Sequence, residues 1–195
     1  MAMIIPIETS ARHAHLTAEH FQILFGKDAK LTVRNNLSQP KTFAAEETVT
    51  LKTAKCKIHR VRILGPLRNY TQIEIARTDA YNLGLNPPIR DTHELALDGT
   101  PGATLIGPEG ELTLEKGVII PWRHIHMSPN DALEANVKDG EMVNVDIDNH
   151  PRSVVFENVL IRVKANYRLT MHIDTDEANA AGIENTGKGK LIKQT

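Results

Sequence analysis

The sequence predicts a mainly β fold, with two similar small β-barrel domains capped by short α-helices. Three observations predict it. Runs rich in β-branched residues are short and lie close together, separated by turn signals such as "LGP", "GTPG", "GPEG" and "KDGE". Helical signals are few and brief, so parallel strands joined by long crossover helices are not expected. The pattern "RHAHL" at Arg12–Leu16 returns as "RHIHM" at Arg123–Met127, which marks an internal duplication.

In chain order, strands are expected over Ile4–Ile7, Glu47–Leu51, Ile58–Ile63, Gln72–Ile75, Thr104–Ile106, Gly117–Ile120, Met142–Ile147, Val154–Val163 and Leu169–Ile173. The two RHxH segments read as further short strands, each leading into a helix. "LTAEHFQILFG" offers Thr17 as N-cap and Gly26 as a stop; "MSPNDALEANVKDG" offers Ser128 as N-cap, Pro129 at the first helical position and Asp131 in the first turn. "TDAYNLGL" and "TDEANAAGI" each run from Thr-Asp to a glycine stop, at Gly84 and Gly182. The closing "ENTGKGKLIKQT" lacks periodicity and reads as a loose tail.

The repeat has a second block. "TQIEIARTDAYNLGL" aligns with "LTMHIDTDEANAAGI", setting Ile73, Glu74 and Ile75 against Met171, His172 and Ile173. Each half therefore holds one RHxH segment and, later, a strand with one polar residue between two apolar ones.

Composition excludes several classes. With 195 residues, 41% hydrophobic and 24% charged, the chain is that of a globular protein; its net charge of −1 and 4% aromatic residues argue against a nucleic-acid partner. No apolar run is long enough for a membrane span, and the start lacks the pattern of a signal peptide. Cys56 is the single cysteine, which fits a reducing compartment, so a cytoplasmic location is expected.

The chemistry sits in the histidines. Residues i and i+2 of a strand point to one side, so His13 and His15 project together, as do His124 and His126. With Glu74 and His172 as third donors, the halves offer His13/His15/Glu74 and His124/His126/His172. Both are zinc ligand sets that leave coordination positions open, as a catalytic site requires. Arg12, Arg68 and Arg123 are candidate anion holders, because a guanidinium grips phosphate through two parallel hydrogen bonds. Arg12 and Arg123 alternate with the histidines; an ion pair that orders the segment is the equal alternative for them. Cys56 with His59 suggests a nucleophile pair, but a small residue entering a strand is the simpler account. No phosphate-binding loop, dinucleotide fingerprint or GxSxG is present.

These residues, with "LSQPKTFAAEETVTL", "RVRILGPLRNYTQIEIA", "PPIRDTHELALDGTPGATLIGPEGELTLEKGVI", "RHIHMSPNDA" and "LTMHIDTDEANAAG", resemble the phosphate acyltransferases (phosphotransacylases) of the PduL type from about Pro6 to Gly182. The resemblance implies an enzyme that interconverts acyl-CoA plus phosphate with acyl phosphate plus CoA, on acetyl or propanoyl groups. It implies two metal ions, normally zinc: one at His13, His15 and Glu74 near the CoA sulfur, the other at His124, His126 and His172. It implies that Arg68 holds phosphate. It also implies that the first strand joins the C-terminal half. Residues 12–119 would then form a central barrel, 1–11 plus 120–184 a second, and 185–195 the tail.

"RDTHELALDGTPG" departs from the family's usual run in being longer and in carrying Thr92 for a serine. Only 11 residues precede Arg12, too few for the amphipathic extension of members that enter microcompartments. The residues that grip the CoA nucleotide are not legible, and a homo-oligomer stays open. Two other readings remain at this stage: a dinuclear-zinc hydrolase of thioesters or phosphoesters, and a non-catalytic metal-binding barrel.

Overall fold

The computed structural model of the chain describes residues 3–91 and 97–194. Its elements, in chain order, are β1 (Ile4–Thr9), β2 (His13–His15), α1 (Ala18–Phe25), β3 (Val33–Asn36), β4 (Phe43–Lys52), β5 (Lys57–Gly65), β6 (Gln72–Glu74), α2 (Arg77–Leu83), β7 (Ile89–Arg90), β8 (Ala103–Ile106) and β9 (Glu111–Leu114). They continue with β10 (Val118–Pro121), β11 (His124–Met127), α3 (Pro129–Ala135), β12 (Met142–Ile147), β13 (Val154–Val163), β14 (Thr170–Ile173), α4 (Thr175–Ala180) and β15 (Thr186–Lys193). The expected class, mainly β with short helices, is what these elements form. The loop departure at Thr92 lies outside the described residues.

The chain divides into two units. One contains residues up to Ala11, Ser38–Pro40 and Trp122 onward; the other contains Arg12–Leu37 and Lys41–Pro121. In the first, six strands close into a barrel in the order β1-β14-β11-β13-β12-β15, and β15 pairs back to β1. Alternation explains its core. In "MVNVDI", Val143, Val145 and Ile147 are buried, while Asn144 and Asp146 are not. Ile5 and Ile7 of β1 join them with Ile125, Ile161, Met171 and Ile173. Closure removes free strand edges, the usual liability of a small sheet.

The second unit is a curled, half-barrel sheet in the order β7-β10-β6-β2-β5-β4-β8-β9, with β3 paired to β4 beside that path. Unlike a closed barrel, this path ends among the described residues at β7 and β9, which are only two and four residues long. Short edges limit edge-to-edge pairing. Ala14, Ile63, Ile73, Leu105 and Val118 pack its core with Phe21 and Leu24 of α1.

Strand pairing reveals how the duplication is wired. β10 pairs with β6 as Val118↔Ile73 and Ile119↔Glu74; β1 pairs with β14 as Ile7↔Met171 and Glu8↔His172. These are equivalent registers, at the same offsets that relate the two RHxH segments and the two third-donor strands. Yet β1 runs directly into β2, and β10 into β11. Each copy therefore gives its leading strand to the unit that contains the other copy's RHxH strand.

The caps follow the sequence. Thr17 accepts from His20 N, and Gly26 ends α1. Ser128 and Asp131 form a capping box behind Pro129. α2 begins at Arg77, just before its Thr-Asp pair, and ends at Gly84 in the left-handed region, φ 69. α4 is capped by Asp174, which accepts from the backbone N–H of Asp176 and Glu177.

The expected loose tail is corrected: residues 186–193 form β15, which hydrogen-bonds to both β1 and β12. Only Gly189 and Leu191 are buried in it, so its sequence shows too few apolar residues to betray a strand. Gly189 is required where it stands, because a Cβ there would lie 2.4 Å from Val145 Cγ1.

Candidate metal centre and anion site

β2, the three residues His13, Ala14 and His15, is buried throughout. Ala14 points into the core of its unit, so His13 and His15 both point to the opposite face of the sheet. β6 lies antiparallel beside it with the register His13↔Glu74 and His15↔Gln72. Directly opposed residues share a face, so Glu74 meets both imidazoles. His13 Nε2 lies 3.3 Å from Glu74 Oε2, and His15 Nε2 lies 3.8 Å from Glu74 Oε1. One donor atom from each of the three falls within 4.8 Å of the others. The expected set is thus brought together, and two imidazoles with a carboxylate fit a borderline cation such as zinc.

Electrostatics favour the ligating forms. Burial, helped by His13 and Arg68, holds the His15 pKa well below its usual 6.5, which keeps a lone pair available. Burial alone would raise the Glu74 pKa. His13, by its charge and its hydrogen bond, together with Arg68, outweighs it and holds the carboxyl far below the ordinary range. Glu74 is ionised.

The second set has the same plan in the closed barrel. β11 and β14 are antiparallel, with His124↔His172 and His126↔Thr170 in register. Ile125 between the two histidines is fully buried in the core. Ring centroids stand 4.7 Å apart for His124–His126, 5.4 Å for His124–His172 and 5.0 Å for His126–His172. His124 Nδ1 lies 2.7 Å from the Trp122 carbonyl oxygen and donates to it. That bond fixes the tautomer with the ring's lone pair on Nε2, a common support for a metal-binding histidine. Tyr167 packs on His126, with centroids 4.2 Å apart.

Arg68 is half-buried at the start of the loop before β6. Its backbone N–H donates to Leu16 O at 2.8 Å, which ties that loop to the end of β2. Its Nη1 donates to Gln72 Oε1 at 3.4 Å. Gln72 is fully buried and its Nε2 has no hydrogen-bond partner. The oxygen end of this buried amide is thus directed at Arg68.

Arg12 and Arg123 take the ion-pair alternative. Arg12 Nη1 lies 2.6 Å from Asp79 Oδ1, and Arg123 Nη1 lies 2.6 Å from Glu177 Oε1. The Glu177 pKa is nonetheless raised, because burial and the neighbouring Asp174 outweigh Arg123.

No nucleophile pair forms at Cys56. Its Sγ approaches Lys57 O at 3.5 Å, whereas His59 Nδ1 pairs with Thr50 Oγ1 at 3.1 Å. Sequence reasoning missed Gln72, Tyr167, Asp79 and Glu177. For the last two a signal existed, since both fall at matching positions of the second repeat block.

Residues 6–184 match the family described as Phosphate propanoyltransferase. The chain belongs to that family. It is 50% identical over 183 residues to the phosphate propanoyltransferase of Thermotoga maritima, covering 94% of this chain and 86% of that one. With the phosphate propanoyltransferase of Salmonella typhimurium it shares 50% over 181 residues, 93% of this chain and 85% of the other. With that of Alkaliphilus metalliredigens it shares 47% over 191 residues, 98% and 89%. Membership of the phosphate propanoyltransferase family makes the chain an acyltransferase. Among the described residues no helix is long and apolar enough to cross a membrane.

Proposed function

We propose that the protein interconverts a short-chain acyl-CoA (acetyl or propanoyl) and phosphate with the acyl phosphate and free CoA. The observation that carries this reading is the buried His13–His15–Glu74 cluster with Arg68 acting on it, in a chain half identical to proteins of that name. Arg68, anchored at Leu16 and Gln72, holds phosphate through its guanidinium and presents it to the thioester. A phosphate oxygen forms a bond to the acyl carbon, the carbon–sulfur bond breaks, and CoA leaves as the thiolate. The proton of phosphate passes to solvent. No enzyme nucleophile takes part.

Two metal ions would be held by His13, His15 and Glu74 and by His124, His126 and His172. When bound, zinc supplies Lewis-acid stabilisation of the charge that develops on the acyl oxygen and on the departing sulfur. The chain's part is to keep the donors in their ligating forms. Burial keeps His15 neutral, the flanking cations keep Glu74 ionised, and Trp122 O orients His124.

The test is thiol release from acetyl- and propanoyl-CoA with and without phosphate, in the wild type and in Glu74→Ala and His124→Ala. Phosphate-dependent release that falls at least 100-fold in both variants is expected, on the order of the loss when a catalytic metal ligand is removed. Near-normal rates in either variant would sink this scheme. Release that ignores phosphate would mark a hydrolase instead.

A further inference from the structure

The two arginine–carboxylate pairs occupy matched places in the duplication. Arg12 and Arg123 immediately precede the first histidine of each ligand strand. Asp79 and Glu177 are each the third residue of the helix that follows the strand bearing the third donor. So each pair ties a strand with two donors to the helix behind the third, at 2.6 Å in both copies. Arg123 also donates through Nε to Glu157 O at 2.9 Å and lies over the Phe156 ring. The carboxylate side is the more enclosed, with Asp79 8% and Arg12 42% exposed. Arg123 and Glu177 are 28% and 20% exposed, so the same half-enclosed pair recurs at the same place in both copies, each time beside the donors.

We infer that Arg12–Asp79 and Arg123–Glu177 are positioning ion pairs, each holding the three donors of its own set at metal-binding separation. His13 and His15 come from a three-residue strand, and Glu74 ends another. Strands that short have few ladder bonds to fix their donors, and the ion pair closes the frame from the other side. The inference rests on the metal-binding reading above.

The test uses the full chain carrying His126→Ala, so that His13, His15 and Glu74 remain as the intact set. Zinc affinity is measured by competition with a chromogenic chelator. Arg12→Met and Asp79→Asn should each weaken it about 10-fold, as loss of groups that orient metal ligands typically does. Arg12→Lys should recover part of the loss, and Arg123→Met should leave this affinity unchanged. Far-UV circular dichroism checks folding, and Asp79→Asn, the isosteric change, decides if Arg12→Met does not fold. Unchanged affinity in the folded variants overturns the inference. So does an equal loss from Arg123→Met, which would mean general loosening. Zinc that fails to bind the His126→Ala chain overturns the metal reading itself, and the inference with it.

Discussion

Ile125 is the apolar residue between His124 and His126, so its side chain fixes from behind the strand that presents both imidazoles. It is fully buried and in register with Met171 on one side and Ile161 on the other. Ile125→Ala deletes three carbons. At about 0.8 kcal/mol each the transfer loss is about 2.4 kcal/mol, and an unfilled cavity brings the total to about 3–4 kcal/mol. For a unit of roughly 90 residues, each kcal/mol moves the midpoint by about 4–8 °C, so a drop of at least ~12 °C is expected. The assay is scanning calorimetry of the metal-free protein, with Leu133→Ala as the control. Leu133 is 79% exposed on α3, and its loss should stay within about 0.5 kcal/mol. A shift below about 4 °C for Ile125→Ala would mean that the barrel core is not packed as described. It would also remove the physical basis for a rigid His124–His126 pair.

Acid should destabilise the metal-free protein. The folded His15 pKa lies below 6.5, so the unfolded chain takes up a proton that the folded chain refuses, and stability falls as pH drops through and below that value. Glu74, with its depressed pKa, adds stability above the ordinary carboxylate range that is lost only in strong acid. Asp174 and Glu177, raised by burial, act oppositely: their contribution is present at low pH and lost as pH rises through their folded values. Urea midpoints at about pH 7.5 and 5.5 should fall with acid, less steeply in His15→Gln; an equal slope in that variant would contradict the assignment. Gly102→Ala should cost about 1–3 kcal/mol or more, because the new Cβ would sit 1.8 Å from the Leu114 carbonyl oxygen; a variant melting like wild type would contradict that packing. Gln72→Leu removes the acceptor for Arg68 Nη1, worth about 1 kcal/mol. KM for phosphate should rise about fivefold, with KM for acyl-CoA unchanged; equal rises in both would separate Gln72 from the anion site.

The fold class and the site were legible for one reason: period 2 and the duplication act on the same residues. His-x-His forces two donors onto one face, and the repeat offset picks Glu74 and His172 as equivalents. What stayed hidden depends on partners. β15 reads as a polar tail because barrel closure, not its own apolar content, makes it a strand. β3, β7 and β9 are short or exposed strands whose pairing comes from neighbours. The crossed wiring of β1 and β10 leaves no mark on composition or periodicity, since either unit would accept either apolar strand. Asp79 stands 67 residues from Arg12, a distance over which no local pattern reaches.

The copies keep the register, the ion pair and the two histidines, and differ where charge is set. Glu74 brings a carboxylate to the first set; His172 brings an imidazole to the second. In the first copy a buried carboxylate needs compensation. Arg68 supplies part of it, acting on both Glu74 and His15. A cation that steadies a ligand carboxylate is, by the same charge, an anion holder when phosphate arrives. The second copy has no carboxylate among its three candidate donors, and it packs Tyr167 on His126 instead. The difference in third donor thus gives the proposed anion holder, Arg68, a resident partner at the Glu74 set before any substrate binds.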